Sequence, residues 1–555
     1  MILVVAWDGA DLGLVEPWIA AGELPHLASL VERGATRPLA STRPAVTFPA
    51  WTSFLTASTP DRHGIPDFTI RDGYRVRFTN AADRRLRTVF SLMSAAGLRV
   101  GTYAVPVTYP PEPLSGFQIP GFDTPFGASP ASKHGHPAAL VEMILARYGT
   151  LAVDGPSQAR IEEGWHRRAL PCLLASIERR AEIFENLLRE IRPDCAMVHF
   201  IESDTVSHQF RQFCDPRSPR YRESELGAAM LDVYRALDAA LGRLLAAIDR
   251  DATVVLLSDH GSAATSDRSI FWNRWLADTG RLAFKTQAPI ASVVGAVKRA
   301  ASRFTPAGLH AGLFASLRPV VDRLESAARF AGIDWAHTSV FSEELAYQPS
   351  FWLNLRSREP RGTVPENEAF ATIEALATDL LEMRDPFDGR RVVRNAWRRE
   401  ILYQGPFAHR FPDLVVELER PDGCEYAAGS SRGGVERKVF RRLRPHEMTG
   451  ARGTSMPGAH ALRGLCVIAG PGVVAGRYST SGLDHAGATL LALAGVAPVE
   501  GMSGVAWKDC FAHRAYPDAR LANSDVPAAH VADARYSVAE EALVEERLRA
   551  LGYIE

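Results

Sequence analysis

The feature that most constrains this chain is a recurring unit: a short β-branched or apolar run that stops abruptly at polar or glycine residues, with stretches of helical spacing between such runs. Ile2 to Ala6, Val100 to Val105, Cys195 to Phe200, Thr253 to Leu257, Leu414 to Leu418 and Leu465 to Ala469 are runs of this kind. They are too short for helices and apolar without alternation, so each predicts a strand buried on both faces. Leu170 to Ile191 and Glu223 to Asp249 carry helical spacing. The alternation predicts an α/β fold in three layers, a mostly parallel sheet with helices on both faces. Ligands of such sheets gather beyond the carboxyl ends of the strands.

From about Ser266 to Ala396 the pattern breaks, with basic and Pro/Gly-punctuated segments at Lys298 to Leu317 and Arg356 to Val364. The expected organisation is a catalytic core from residues 1–265 and 397–515, an inserted cap or substrate region at 266–396, and a linker with a C-terminal helix at 516–555. In that last part Ser537 and Glu540 make a capping box, Gly552 closes the helix, and Leu543, Val544, Leu548 and Leu551 form one apolar stripe. Docking of the stripe on the chain's own body is the expectation, and pairing with another subunit is the alternative, which leaves homo-oligomerisation open.

Charge decides which partners are excluded. With 63 Lys+Arg against 64 Asp+Glu, no general field draws the chain to a nucleic acid polymer or an anionic membrane. A small anionic substrate must therefore be held locally. No stretch approaches the ~20 apolar residues of a membrane span. Asp8 interrupts the first apolar run, which disfavours a cleaved leader and leaves a cytoplasmic location as the default. The six cysteines have no C-x-x-C pair, and Cys195 and Cys466 read as buried thiols.

Four polar clusters sit beside the strand runs. Asp8 ends the first; alone it reads as a turn former. Asp204 and His208 follow the Cys195 run four residues apart, on one helix face, and can share a metal or merely a surface hydrogen bond. Asp259 and His260 follow the Thr253 run, with Gly261 letting the chain turn away. His460 precedes the Leu465 run and alone reads as structural. Together they supply three Asp and three His, the inventory of a two-metal site. Thr47, before a Phe-Pro step that opens a helix, is the candidate nucleophile; without metals it is only a helix cap.

The order Asp, Thr-Phe-Pro, Asp-x-x-x-His, Ser-Asp-His-Gly, Gly-x-His resembles the alkaline phosphatase superfamily, in particular the type I phosphodiesterase/nucleotide pyrophosphatase branch and a related phosphohydrolase/phosphomutase subgroup. Pro60-Asp61-Arg62-His63-Gly64-Ile65 matches that branch. Val105 to Pro111, Asp334 to Thr338, Tyr403-Gln404-Gly405-Pro406, Pro412-Asp413-Leu414, Asp484 to Gly495 and Leu548 to Tyr553 look like the subgroup. The resemblance implies an alkaline phosphatase-like sandwich with an inserted cap. It implies one divalent metal on Asp204, His208 and His460, and a second on Asp8, Asp259 and His260 with Thr47 beside it. It implies zinc, with manganese as the alternative, and hydrolysis of phosphate mono- or diesters through a phosphothreonine. His485 competes with His460, and His460 is preferred. One departure stands out: where nucleotide pyrophosphatases carry an Asn that contacts phosphoryl oxygen, this chain has Phe68.

Three other readings remain in view. A phosphomutase would use the cap to exclude water, and a sulfate or phosphonate ester hydrolase would use the same metals. An inactive metal- or phosphate-binding protein would be expected to lack a ligand, and none of the six is missing. Trp272, Trp275, Arg390, Arg391 and Arg394 either bind a leaving group or are core tryptophans and solvated arginines.

Overall fold

The computed structural model describes residues 1–126, 130, 133–158, 161–285, 330, 332–344, 348–450, 456–512, 516–517, 519–520 and 536–551. The Lys298 to Leu317 segment, most of the expected linker and the Gly552 cap lie outside the described residues.

The main sheet is built from β1 (Ile2–Trp7), β2 (Ala35–Ala40), β3 (Val100–Val105), β4 (Phe117–Pro120), β5 (Cys195–Phe200), β6 (Thr253–Leu257) and β7 (Arg463–Ala469), in the spatial order β2-β7-β6-β1-β5-β3-β4. Two short segments, Gly476–Arg477 and Ser481–Gly482, also pair with β2. All pairings are parallel except those of β7, which runs antiparallel to both neighbours. β1 lies between β6 and β5. Every residue of β1, β3 and β5 is buried, which is why these runs do not alternate in sequence.

Successive side chains of a strand face opposite ways, and β1 displays this directly. Leu3, Val5 and Trp7 enter one core with α1 (Leu12–Ala20) and α2 (Pro25–Arg33), while Ile2, Val4 and Ala6 enter another with α3 (Thr47–Thr56) and α4 (Val89–Ala95). The first core also receives α5 (Trp165–Ile191), α6 (Glu202–Cys214) and α7 (Ala229–Ala246); the second receives α8 (Leu483–Leu493). These are the three layers of an alkaline phosphatase-like sandwich.

Leu414–Leu418 is a strand, but of a separate antiparallel sheet with Val340–Ser342, Ser350–Leu353 and Val393–Arg398. The boundary expected at residue 396 falls inside one of these strands. Trp272 and Trp275 belong to the core of this unit, so neither is offered to a ligand. A long strand, Gly261–Ile270, leads from the main sheet toward this unit and pairs with Cys424–Ala428, Phe440–Arg442 and Gly458–Ala461. Asp61, in the Pro60 to Ile65 motif, clasps the unit to the core: its Oδ2 accepts the amides of Gln404, at 2.7 Å, and Gly405, at 2.5 Å. α9 (Val538–Ala550) docks on the chain's own body through Val544, Leu548 and Leu551.

Candidate metal centre and nucleophile

Four chain segments deliver the polar residues to one rim. β1 and β6 end at Asp8 and Asp259; α6, entered from β5, carries Asp204 and His208; and the strand Gly458–Ala461 brings His460. Glycine makes two of these approaches sterically feasible. A Cβ on Gly458 would stand 2.7 Å from the His208 Cα, so only glycine lets that strand lie against α6. Gly9, at φ +67°, turns the chain beneath the cluster, and a Cβ there would stand 2.9 Å from the Asp204 carboxylate.

Two groups of donors converge. In the first, Asp204 Oδ1 lies 3.1 Å from His208 Nε2 and 3.7 Å from His460 Nε2, and the two ring nitrogens are 2.9 Å apart. In the second, His260 Nε2 lies 3.4 Å from Asp8 Oδ1, 3.3 Å from Asp259 Oδ2 and 3.5 Å from Thr47 Oγ1. All seven residues are buried. His485, the competing candidate, is instead bonded to the Val505 backbone.

The donor chemistry fits divalent cations. Nδ1 of His208, His260 and His460 each meets a backbone carbonyl, of Gly458 at 3.0 Å, Gly261 at 2.9 Å and Ala45 at 2.7 Å. A carbonyl oxygen only accepts, so Nδ1 carries a proton, and Nε2 is the atom through which each ring, when neutral, offers a lone pair. The lone pairs of His208 and His460 then face each other, an arrangement that repels unless a cation or proton lies between them. In the second group, Asp8 Oδ1 and Asp259 Oδ2 are buried without a hydrogen-bond partner, and such orphaned oxygens are costly without a counter-charge.

The two carboxylates respond differently to burial. Burial works to raise the Asp8 carboxyl, yet hydrogen bonds from His199 and Trp51 and the positive potential of His199 and His260 hold it below the usual range. Asp259 is pushed well above that range by burial and by the negative charges of Asp8 and Asp204.

Thr47 is the first residue of α3, and Val46 is the cap residue. The hydroxyl is therefore not spent on capping and lies within reach of His260. The N–H groups of a helix's first turn lack intrahelical acceptors. Phe68 packs on Phe48, with ring centroids 4.3 Å apart, so an aromatic contact occupies this position.

Sequence reasoning missed His199 and Trp51. His199 Nε2 lies 2.7 Å from Asp8 Oδ2 and Trp51 Nε1 donates to the same oxygen at 3.0 Å. The available signal was a histidine in the otherwise apolar Cys195 run, one residue before its end. Behind them, the fully buried Arg180 donates to Glu202 at 2.7 Å and to the His199 carbonyl at 3.2 Å, anchoring the start of α6.

The family model described as type I phosphodiesterase / nucleotide pyrophosphatase matches residues 2–430, a span that includes every candidate residue except His460. No curated protein matches. Among solved structures, phosphonoacetate hydrolase from Sinorhizobium meliloti 1021 in complex with phosphonoacetate aligns at 16% identity over 84% of this chain and 89% of its own, with a TM-score of 0.47. Murine ectonucleotide pyrophosphatase/phosphodiesterase 5 aligns at 12% identity over 90% of this chain and 96% of its own, with a TM-score of 0.45. The chain belongs to the type I phosphodiesterase/nucleotide pyrophosphatase family, phosphoester hydrolases of the alkaline phosphatase superfamily.

Proposed function

We propose that this chain is a two-metal phosphohydrolase that cleaves phosphate mono- or diesters through a phosphothreonine on Thr47. The observation that carries the reading is the placement of Thr47 Oγ1 3.5 Å from His260 Nε2, in a buried pocket where Asp8 and Asp259 each keep a carboxylate oxygen without a hydrogen-bond partner. Asp204, His208 and His460 would hold one divalent ion; Asp8, Asp259 and His260 would hold the other beside Thr47. The mixed nitrogen and oxygen set suits zinc, with manganese second. When bound, the ions supply Lewis acidity toward phosphoryl oxygens and favour the ionised form of the threonine hydroxyl.

The chain's own groups do the positioning. His199 and Trp51 occupy one oxygen of Asp8 and turn the other toward His260. His460 Nδ1–H holds the Ala45 carbonyl, tying that ring to the loop that presents Thr47. The first-turn amides of α3 can receive a phosphoryl oxygen. As Thr47 Oγ1 gives up its proton and attacks phosphorus, the bond to the leaving oxygen breaks and the departing alkoxide takes up a proton to leave as the alcohol. Water then cleaves the Oγ1–P bond, returning the hydroxyl and releasing phosphate or a monoester.

An acid quench during turnover of an aryl phosphate or diester by the zinc-loaded protein should trap a phosphoryl group on Thr47, located by peptide mass spectrometry. Thr47→Ala should lower kcat by about 10³-fold or more while zinc content stays near two per chain. Turnover at the wild-type rate in that variant would rule out covalent catalysis. Aryl phosphonates and sulfates in the same panel separate the chemistry from its superfamily alternatives.

A further inference from the structure

We propose that the C-terminal helix α9 is a wall of the catalytic centre that positions the Thr47 nucleophile, an inference that rests on the phosphothreonine reading above. The apolar stripe of α9 does not rest on a remote part of the body. Val544, Leu548 and Leu551 share one buried cluster with Val46 and Phe48, the two residues that flank Thr47. The same cluster takes in Ile201, the residue before α6, and Val107 and Phe122 from the loops after β3 and β4. One helix face thus joins the nucleophile's flanks to the carboxyl ends of three strands.

Polar contacts fix the helix there. Arg547 donates to the Thr124 carbonyl at 2.6 Å and to Asp154 at 2.7 Å, and Tyr109 donates to Glu540 at 2.8 Å. Tyr536, just ahead of α9, stacks on Tyr109 and donates to the Asp123 carbonyl at 2.8 Å. Beneath this contact Val107 adopts φ +57°, a left-handed conformation costly for a β-branched residue, with its N–H held 3.2 Å from both Asp123 carboxylate oxygens. Strain of this kind persists only where the surroundings over-determine it, and it clusters at functional sites. An error of about 1 Å in a reacting group can cost about a hundredfold in rate, so a helix that shares one buried cluster with both neighbours of the nucleophile bears on the chemical step.

The test uses the full-length, zinc-loaded protein. Leu548→Asp should release α9, lowering kcat about a hundredfold with KM and zinc content nearly unchanged, and hydrogen exchange in the peptide spanning residues 44–56 should accelerate. Arg547→Ala should give a smaller fall in kcat, which Arg547→Lys partly restores. If α9 amides exchange freely in Leu548→Asp while kcat and the 44–56 exchange stay at wild-type values, the proposal is overturned. Should Leu548→Asp fail to fold, Val544→Ala and the two Arg547 variants decide by the same readouts. Full activity in Thr47→Ala would instead remove the phosphothreonine reading, and the exchange result would still decide whether α9 orders the Thr47 segment.

Discussion

Two parts of this molecule are crowded with buried charge, and they satisfy it in opposite ways. In the inserted unit several buried carboxylates are met by guanidinium groups: Arg71, from the Thr69–Asp72 strand outside the unit, grips Glu359 with two bonds of 2.9 Å, Arg358 and Arg399 share Asp413, and Arg268 binds Asp385 and Asp388. At the carboxyl ends of the main sheet, Asp8 and Asp259 meet only histidines as ion-pair partners among the described residues, and each keeps an orphaned oxygen. A buried charge is tolerable only with a counter-charge. These carboxylates find their counter-charge on arginines of the same chain, whereas on the function proposed above the rim takes cations from solution.

The largest expected effect follows from that contrast. Asp259→Asn should lower kcat about a hundredfold or more and reduce bound zinc, because it deletes a proposed ligand. In chelator-treated protein the same substitution should raise Tm, since it removes a carboxylate that burial and the charges of Asp8 and Asp204 oppose. Calorimetry with and without chelator checks both signs; a lower Tm without metal would mean that the rim is stable as an ordinary polar cluster.

Glu359→Gln should behave in the reverse manner. It strands the nearly buried Arg71, which also lies over Trp352 at 3.8 Å, and should cost about 3–5 kcal/mol of stability. Zinc content should not change, and elemental analysis beside a denaturation curve makes the comparison. Loss of zinc in this variant would show that the two charge systems are coupled.

His63 represents a third solution, which is to stay neutral. It is buried, its Nδ1 accepts the Ile65 amide at 3.2 Å and its Nε2 lies 3.0 Å from Ser53 Oγ. Burial, then the nearby Arg84, holds its pKa down to about 3. Because the unfolded chain takes up this proton near pH 6.5 and the folded chain does not, the stability it contributes is present above about 6.5 and is lost as pH falls toward 3. The expected loss at pH 5 is about 2 kcal/mol. His63→Gln should flatten that part of the Tm against pH curve relative to wild type; parallel curves would place the acid sensitivity elsewhere.

The same contrast explains what was legible in sequence. Val100 to Val105, Cys195 to Phe200 and Thr253 to Leu257 form strands with the expected ends, because burial on both faces leaves an uninterrupted apolar run. Residues converge where those strands stop, so Asp8, Asp204, His208, Asp259 and His260 could be gathered as candidates by position, while each alone reads as a turn or surface residue and only the resemblance implies its role. Leu414 to Leu418 has the same apolar signature but pairs in the antiparallel sheet; the run itself cannot say which sheet buries it. His199 and Trp51 were missed because they act through Asp8, across sequence separations of 191 and 43 residues. The cluster that α9 shares with Val46 and Phe48 was equally invisible, since an apolar stripe carries no address.

The smallest expected effect tests whether the inserted unit's surface arginines serve the substrate. Arg394 pairs with Glu419 at 2.9 Å, and both side chains are substantially exposed. Such a pair gains little Coulomb energy in water and loses side-chain entropy, so Arg394→Ala should change stability by less than about 0.5 kcal/mol. If Arg394 were a leaving-group ligand, the substitution would raise KM for anionic esters selectively and would steepen with falling ionic strength. An unchanged KM across an ester panel at low and moderate salt is the outcome expected, because an arginine already matched to a glutamate in sequence has no need of a substrate's charge. A selective rise would instead show that the inserted unit, like the rim, keeps part of its charge in reserve for a ligand.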